Sequence, residues 1–295
     1  MAVKILIQHT TVYSYNRPVV LSTHTIRLKP AAHCNTFIEA YSLTITPSNH
    51  IIHWLQDVYG NFEARVDFVG TVERLVIGVD IKALLLPVNP FNFFVDDTAQ
   101  DYPFAYSDKL KKGLAPYLDE DAHDDAIVNW LQKINRATRM ETITFLSMLT
   151  SMVYNDIAYN VRLQPGVQTP QQSLSSGTGS CRDSAWLLVQ ILRHLHLAAR
   201  FVSGYIVQFS TGIQQVQDGD GGTTGLHAWA EVYIPGAGWI GLDPSNGLFA
   251  AEGYVPLACT PHFEDAAAVT GTSEVCETEL TFSNRVTVLS NDNLL

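Results

Sequence analysis

The stretch Gly177-Thr178-Gly179-Ser180-Cys181-Arg182-Asp183 leads small, flexible residues straight into the apolar run Ala185-Trp186-Leu187-Leu188-Val189-Gln190-Ile191-Leu192. Ser180 and Asp183 stand at capping-box spacing, which marks Ser180 as a helix N-cap and Cys181 as the first helical residue. A thiol there faces the positive end of the helix dipole and backbone N–H groups that have no intrahelical partner. Both favour the thiolate, which is the nucleophilic form. The same N–H groups suit the oxyanion of an acyl transfer. Cys34, Cys259 and Cys276 have no such setting and read as small hydrophobes. A disulfide from Cys181 to Cys259 or Cys276 is the structural alternative.

A nucleophilic thiol needs a base. His194 and His196 lie three to four helical turns beyond Cys181, too far along to reach it. His227 opens the alternating run His227-Ala228-Trp229-Ala230-Glu231-Val232-Tyr233-Ile234. Strand periodicity puts Ala228, Ala230, Val232 and Ile234 on one face and His227, Trp229, Glu231 and Tyr233 on the other. After Pro235-Gly236-Ala237-Gly238, the run Trp239-Ile240-Gly241-Leu242-Asp243-Pro244 returns as a strand ending in a carboxylate. Asp243 is then the group to orient an imidazole and stabilise its charged form. Register decides whether it does. A two- or four-residue turn sends His227 and Asp243 to opposite faces. A three- or five-residue turn sets Asp243 across from Trp229 and diagonal to His227, and the glycines permit an odd turn.

The elements that position these residues fall into two parts. Residues 1–95 carry short β-branched or aromatic segments separated by turn residues, as in an antiparallel sandwich. Residues 96–118 read as a Pro-, Asp- and Tyr-rich linker. A helical region then starts at Asp119-Glu120-Asp121, followed by Ile127, Trp130, Leu131 and Ile134 at one-face spacing. Phe145, Met148, Leu149, Met152 and Val153 mark a second helix. The helix from Cys181 is apolar nearly all round and should be buried. Strands follow to about residue 265, and segments within 266–295 read as further strands that pack back on the fold. The expected class is α+β, a β-sandwich-like N-terminal domain with helices packed on an antiparallel sheet (119–265).

The 295 residues are 46% apolar and carry a formal net charge of −11. That mass supports a sizeable core. The basic residues are too thinly spread for a nucleic-acid face, and no stretch approaches a membrane helix. The N-terminal apolar stretch is short for a signal-peptide core, so a cytoplasmic setting with reduced thiols is expected. No C-x-x-C pair exists, and no metal or cofactor is expected. Asp218-Gly219-Asp220-Gly221-Gly222 is only faintly like a calcium loop and reads as a solvated acidic turn.

Three motifs in order, Gly-Ser-Cys-Arg-Asp-Ser-Ala-Trp at 179–186, His-Ala-Trp-Ala-Glu-Val at 227–232 and Trp-Ile-Gly-Leu-Asp-Pro-Ser at 239–245, resemble the bacterial transglutaminase-like family of the papain-like superfamily. His-Thr-Thr-Val-Tyr-Ser-Tyr at 9–15 and Arg-Leu-Lys-Pro at 27–30 look like the β-rich N-terminal domain of those proteins. The resemblance implies Cys181 as nucleophile, His227 as base and then acid, and Asp243 as orienting carboxylate. It implies a thioester formed from a peptide or protein amide. Hydrolysis is favoured over glutamine-to-amine transfer, and a non-catalytic peptide-binding module is the remaining alternative. Ser180, Tyr159 and Trp229 are the candidate substrate contacts.

Overall fold

The structure, a computed structural model, describes residues 2–120, 125–134, 139–162, 164–209 and 222–289. Six strands open the chain: β1 (Val3–Val19), β2 (His24–Ile26), β3 (Phe37–Thr46), β4 (His50–Gln56), β5 (Phe62–Phe68) and β6 (Val72–Leu85). After β7 (Asp101–Tyr102) come α1 (Asp108–Leu118), α2 (Asp125–Leu131), β8 (Met140–Glu141), α3 (Thr142–Asp156), β9 (Ala158–Tyr159), α4 (Pro170–Ser176), β10 (Thr178–Gly179) and α5 (Cys181–His194). The remainder is β11 (Ala199–Phe209), β12 (Gly222–Ile234), β13 (Gly238–Asp243), β14 (Leu248–Ala250), β15 (Tyr254–Thr260), β16 (Val269–Thr270) and β17 (Thr278–Val288).

The N-terminal strands form two four-stranded antiparallel sheets, ordered β17-β1-β6-β3 and β16-β2-β5-β4. In β1 every second residue from Val3 to Thr11 points inward, as the pleat requires. The short segments expected around Ile5-Leu6-Ile7 and Thr11-Val12-Tyr13 are therefore one continuous strand. His9 keeps the alternation through a polar position because Asn284 Oδ1 (2.6 Å) and Thr11 Oγ1 (2.7 Å) satisfy its ring nitrogens.

The second unit is a five-stranded antiparallel sheet, β14-β13-β12-β11-β15, with α5 on one face. Ala228, Ala230, Val232 and Ile234 of β12 meet the buried side chains of α5 in one core, and α2, α3 and α4 pack around that helix. Burying α5 on most sides fits its nearly continuous apolar sequence. Tyr205, Val207, Val255 and Leu257 of the same sheet join the sandwich core instead. The two units are thus packed together through the central sheet. A buried ion pair reinforces the junction: Arg200 Nε and Nη2 lie 2.7 and 2.6 Å from Glu231 Oε2, and Nη2 is 3.2 Å from His33 Nε2.

Two expectations change. Residues 96–118 are not bare linker: Ser107 accepts a hydrogen bond from the Leu110 N–H and starts α1. Asp119 is the extended residue that ends α1, so the acidic stretch does not open a helix there; the described part of the next helix begins at Asp125. Asp121 lies outside the described residues.

Gly204 of β11 sits across from His227 and beneath the Trp229 indole. A Cβ there would lie 2.4 Å from Trp229 Cη2 and 2.4 Å from the Val255 carbonyl oxygen. Gly204→Ala should therefore destabilise the fold by about 1–3 kcal/mol, the usual cost of overpacking. A lowered urea midpoint would show it; an unchanged midpoint would mean the indole has room to retreat.

Candidate active site

Cys181 is the first residue of α5, with Ser180 as N-cap. Asp183, fully buried, anchors this helix start. Its Oδ2 accepts from the Ser180 N–H (2.8 Å), the Ser180 hydroxyl (2.7 Å) and Arg162 Nε (3.0 Å). Its Oδ1 accepts from Arg162 Nη2 (3.0 Å) and the Gln168 N–H (2.7 Å). Burial alone would raise this carboxyl, but the hydrogen bonds, with Arg162 foremost, hold it below the usual carboxylate range. The charge therefore remains on Asp183, near the positive end of the helix dipole.

The β12–β13 turn is three residues long, since Ile234 pairs with Gly238. Gly236 and Gly238 take φ of +85° and +78°, which a side chain would resist. The ladder Val232↔Ile240 and Ala230↔Leu242 continues to set Asp243 across from Trp229. His227 and Asp243 thereby share a face, and His227 Nε2 lies 2.7 Å from Asp243 Oδ2. That leaves Nδ1 for the Cys181 thiol, the other hydrogen-bonding neighbour of the ring.

Asp243 is completely enclosed by donors. Oδ2 also accepts from Asn246 Nδ2 (2.7 Å) and the Tyr254 hydroxyl (2.8 Å). Oδ1 accepts from the Ser245 N–H (2.9 Å), the Ser245 hydroxyl (2.7 Å) and the Asn246 N–H (3.2 Å). Burial opposes its charge, yet His227 and these donors hold the carboxyl down to about 2. For His227, burial lowers the ring's affinity for a proton. Hydrogen bonds and charge from Asp243 and Cys181 outweigh that and raise it to about 10. The arrangement favours a proton on the imidazole, which is held between the Asp243 carboxylate and the Cys181 sulfur.

The structure brings Cys181, His227 and Asp243 into one cluster. Two of the expected substrate contacts are buried beside the cluster. Ser180 is buried and spends both its N–H and its hydroxyl on Asp183. Trp229 is 1% exposed and packs with Val202, Cys259 and Tyr254, so it backs the His227 ring (centroids 6.3 Å apart) and does not wall a cleft. Tyr159 is exposed, and desolvation with the neighbouring Cys181 and Asp243 raises its phenol. Arg162, Ser245, Asn246 and Tyr254 had not been singled out. Asp243-Pro244-Ser245-Asn246 carries a local signal, an Asx turn; Arg162 and Tyr254 come from distant segments and carry none. Asp218–Gly222 lies within undescribed residues, Gly222 excepted. All four cysteines are free, so no disulfide holds Cys181. One group with metal-ligand chemistry exists among the described residues: His33, Glu231 and Cys259, with ligand atoms within 4.8 Å of one another. The Arg200 guanidinium already neutralises Glu231 there, which opposes a cation.

A helix whose first residue is a thiol, packed on an antiparallel sheet that carries an imidazole and a carboxylate, defines the papain-like class. Residues 5–83 match the bacterial transglutaminase-like N-terminal region, and residues 129–244 match the transglutaminase-like superfamily. The segment 129–244 thus belongs to the transglutaminase-like superfamily, and the bacterial transglutaminase-like N-terminal region precedes it. An uncharacterised protein of Mycobacterium bovis and one of Mycobacterium tuberculosis are each 26% identical over 275 residues, 90% of this chain and 86% of theirs. A crystal structure from Cytophaga hutchinsonii, of a protein provisionally assigned as a cysteine protease, superposes with a TM-score of 0.70 at 19% identity, over 99% of this chain and 92% of that one. At that identity the likeness is one of fold.

The sign of the pH dependence follows from the two shifts. The His227 contribution to stability is full below its ordinary value of 6.5 and is lost as pH rises through about 10. The Asp243 contribution is full above 3.8 and is lost as pH falls through about 2. An NMR titration of the histidines should find His227 still charged at pH 8, and Asp243→Asn should move its titration down toward the ordinary range. A His227 that titrates near 6.5 in the unmodified protein would contradict this electrostatic account.

Proposed function

We propose that this protein is a thiol-dependent enzyme that cleaves amide or peptide bonds through a thioester, with Cys181, His227 and Asp243 as its catalytic residues. The reading rests on one observation: a single imidazole is held between a buried carboxylate and a thiol at a helix start. The superfamily to which the segment 129–244 belongs is consistent with it.

In this mechanism the Cys181 thiolate attacks the substrate carbonyl carbon and forms the C–S bond. Charge gathers on the carbonyl oxygen, where backbone N–H groups at the start of α5 lower the barrier. The tetrahedral species collapses with cleavage of the C–N bond, and the His227 imidazolium gives its proton to the departing amine. Water then attacks the thioester while neutral His227 takes up its proton. The second tetrahedral species collapses with cleavage of the C–S bond, the acid product leaves and gives its proton to solvent, and the thiolate–imidazolium pair is restored. Asp243 fixes the ring so that one nitrogen always faces the sulfur, and it stabilises the charged form. Water is the acyl acceptor we favour; a primary amine would give glutamine transamidation by the same thioester. The substrate is a peptide or protein amide, and the setting we propose is cytoplasmic. No helix among the described residues is long and apolar enough to cross a membrane.

Iodoacetamide at neutral pH should alkylate Cys181 well ahead of Cys34 and Cys276. Peptides containing glutamine and internal amide bonds should be turned over, with ammonia or a new amino terminus released and no added amine incorporated. Cys181→Ala should lower turnover by at least about 10³-fold. Full activity in that variant would end the proposal.

A further inference from the structure

The rim beside Cys181 is apolar, and three separate elements build it. Residues 158–162 run alongside the segment that enters α5. The Ala158 N–H donates to the Gly177 carbonyl and the Asn160 N–H to the Gly179 carbonyl, both at 2.8 Å. Tyr159 pairs in parallel with Gly179, and Arg182 Nη2 holds the Arg162 carbonyl at 2.8 Å. Along such a pairing, successive residues turn their backbone groups to opposite sides. Tyr159 lies between two residues bonded inward, so its own N–H and C=O face away from β10. Its side chain is 59% exposed and that of Val161 is 70% exposed. Across the site, Leu248 of β14 pairs with Asp243 and is 60% exposed. Tyr154, at the end of α3, lies against Gly247 and is 49% exposed.

Single exposed apolar residues are ordinary; four on the elements that carry or flank Cys181 and Asp243 mark a contact surface. The charged neighbours are otherwise engaged. Arg162 is bonded to Asp183, and Arg182 to the carbonyls of Arg162 and Gln164. The surface is continuous with the Cys181–His227–Asp243 cluster through Asp243↔Leu248 and Gly179↔Tyr159.

We infer that the substrate is an extended peptide whose large aliphatic or aromatic side chains, in the two residues before the reacting carbonyl, pack on Tyr159, Val161, Leu248 and Tyr154. Its backbone lies along the outward edge of Tyr159, in the manner of a strand added to a sheet. Small polar or acidic residues in those places leave the rim wet and gain nothing from it. This inference rests on the proposed catalytic role of Cys181 and deepens it.

The test uses peptidyl chloromethyl ketones on the intact chain, with alkylation of Cys181 followed by mass spectrometry. A Leu-Leu probe should react at least about tenfold faster than Ser-Ser or Asp-Asp probes, the selectivity that an apolar pocket gives for a few methylenes. Tyr159→Ser with Val161→Ser, and separately Leu248→Ser, should shrink that ratio to within about threefold. The ratio is taken between probes on one protein, so a general change in thiol reactivity does not move it. A ratio near one in the unmodified protein, with iodoacetamide still selecting Cys181, overturns the apolar-substrate inference and leaves the catalytic reading standing. Iodoacetamide that fails to select Cys181 overturns the catalytic reading, and the inference with it. Labelling that slows as protein concentration rises, whatever the probe, would show a second copy of the chain covering the rim and would also overturn the inference.

Discussion

His227 and Asp243 share a face of the central sheet because Pro235-Gly236-Ala237 reverses the chain in three residues. Side chains alternate with a period of two, so a turn one residue longer or shorter would separate them by the thickness of the sheet. Every other feature of the site presupposes this parity. Asp243 is enclosed by Ser245, Asn246 and Tyr254 as well as by the imidazole, so its charge is supported from several directions and the ring has one orientation to adopt. Trp229 fills the space behind that ring, and the absence of a side chain at Gly204 gives the indole its place.

Much of this was legible in the chain because it is local. The helix start at Cys181, the alternation of β12 and the odd turn that the glycines permit all lie within short windows. So does the apolar character of α5, which the packing of α2, α3 and α4 explains. What the windows could not hold is the partner from elsewhere. Arg162 reaches Asp183 across 21 residues, and Tyr254 reaches Asp243 from the next strand but one. Trp229 shows the opposite failure. Strand parity put it on the face of His227, but parity says nothing about depth, and a neighbouring strand and Tyr254 close over it. Helix α1 was missed because Pro116 and Gly113 lie inside it, where propensity argues against a helix.

The sandwich and the thiol-bearing unit are joined by chemistry as well as by packing. Arg200 and Glu231 occupy adjacent strands of the central sheet, and His33 reaches them from the loop before β3. Asn61, in the turn between β4 and β5, accepts from the Cys259 N–H at 2.8 Å and donates to its carbonyl at 3.2 Å. A buried ion pair adds little net stability but is costly to break on one side only. These contacts therefore fix the relative placement of the two units more than they strengthen either one.

Strand β17 pairs along β1 from Ile5↔Val288 to Tyr15↔Thr278, so the last described strand of the chain completes the first sheet. The matched N-terminal region at 5–83 therefore lacks one strand of each sandwich sheet, β17 and β16. Excised at its sequence boundary, it would present β1 from Ile5 to Tyr15 as a bare hydrogen-bonding edge, a template for aberrant association. In the intact chain that edge closes only when the far end arrives. During synthesis on the ribosome, the sandwich must wait for the thiol-bearing unit to emerge before it can be finished.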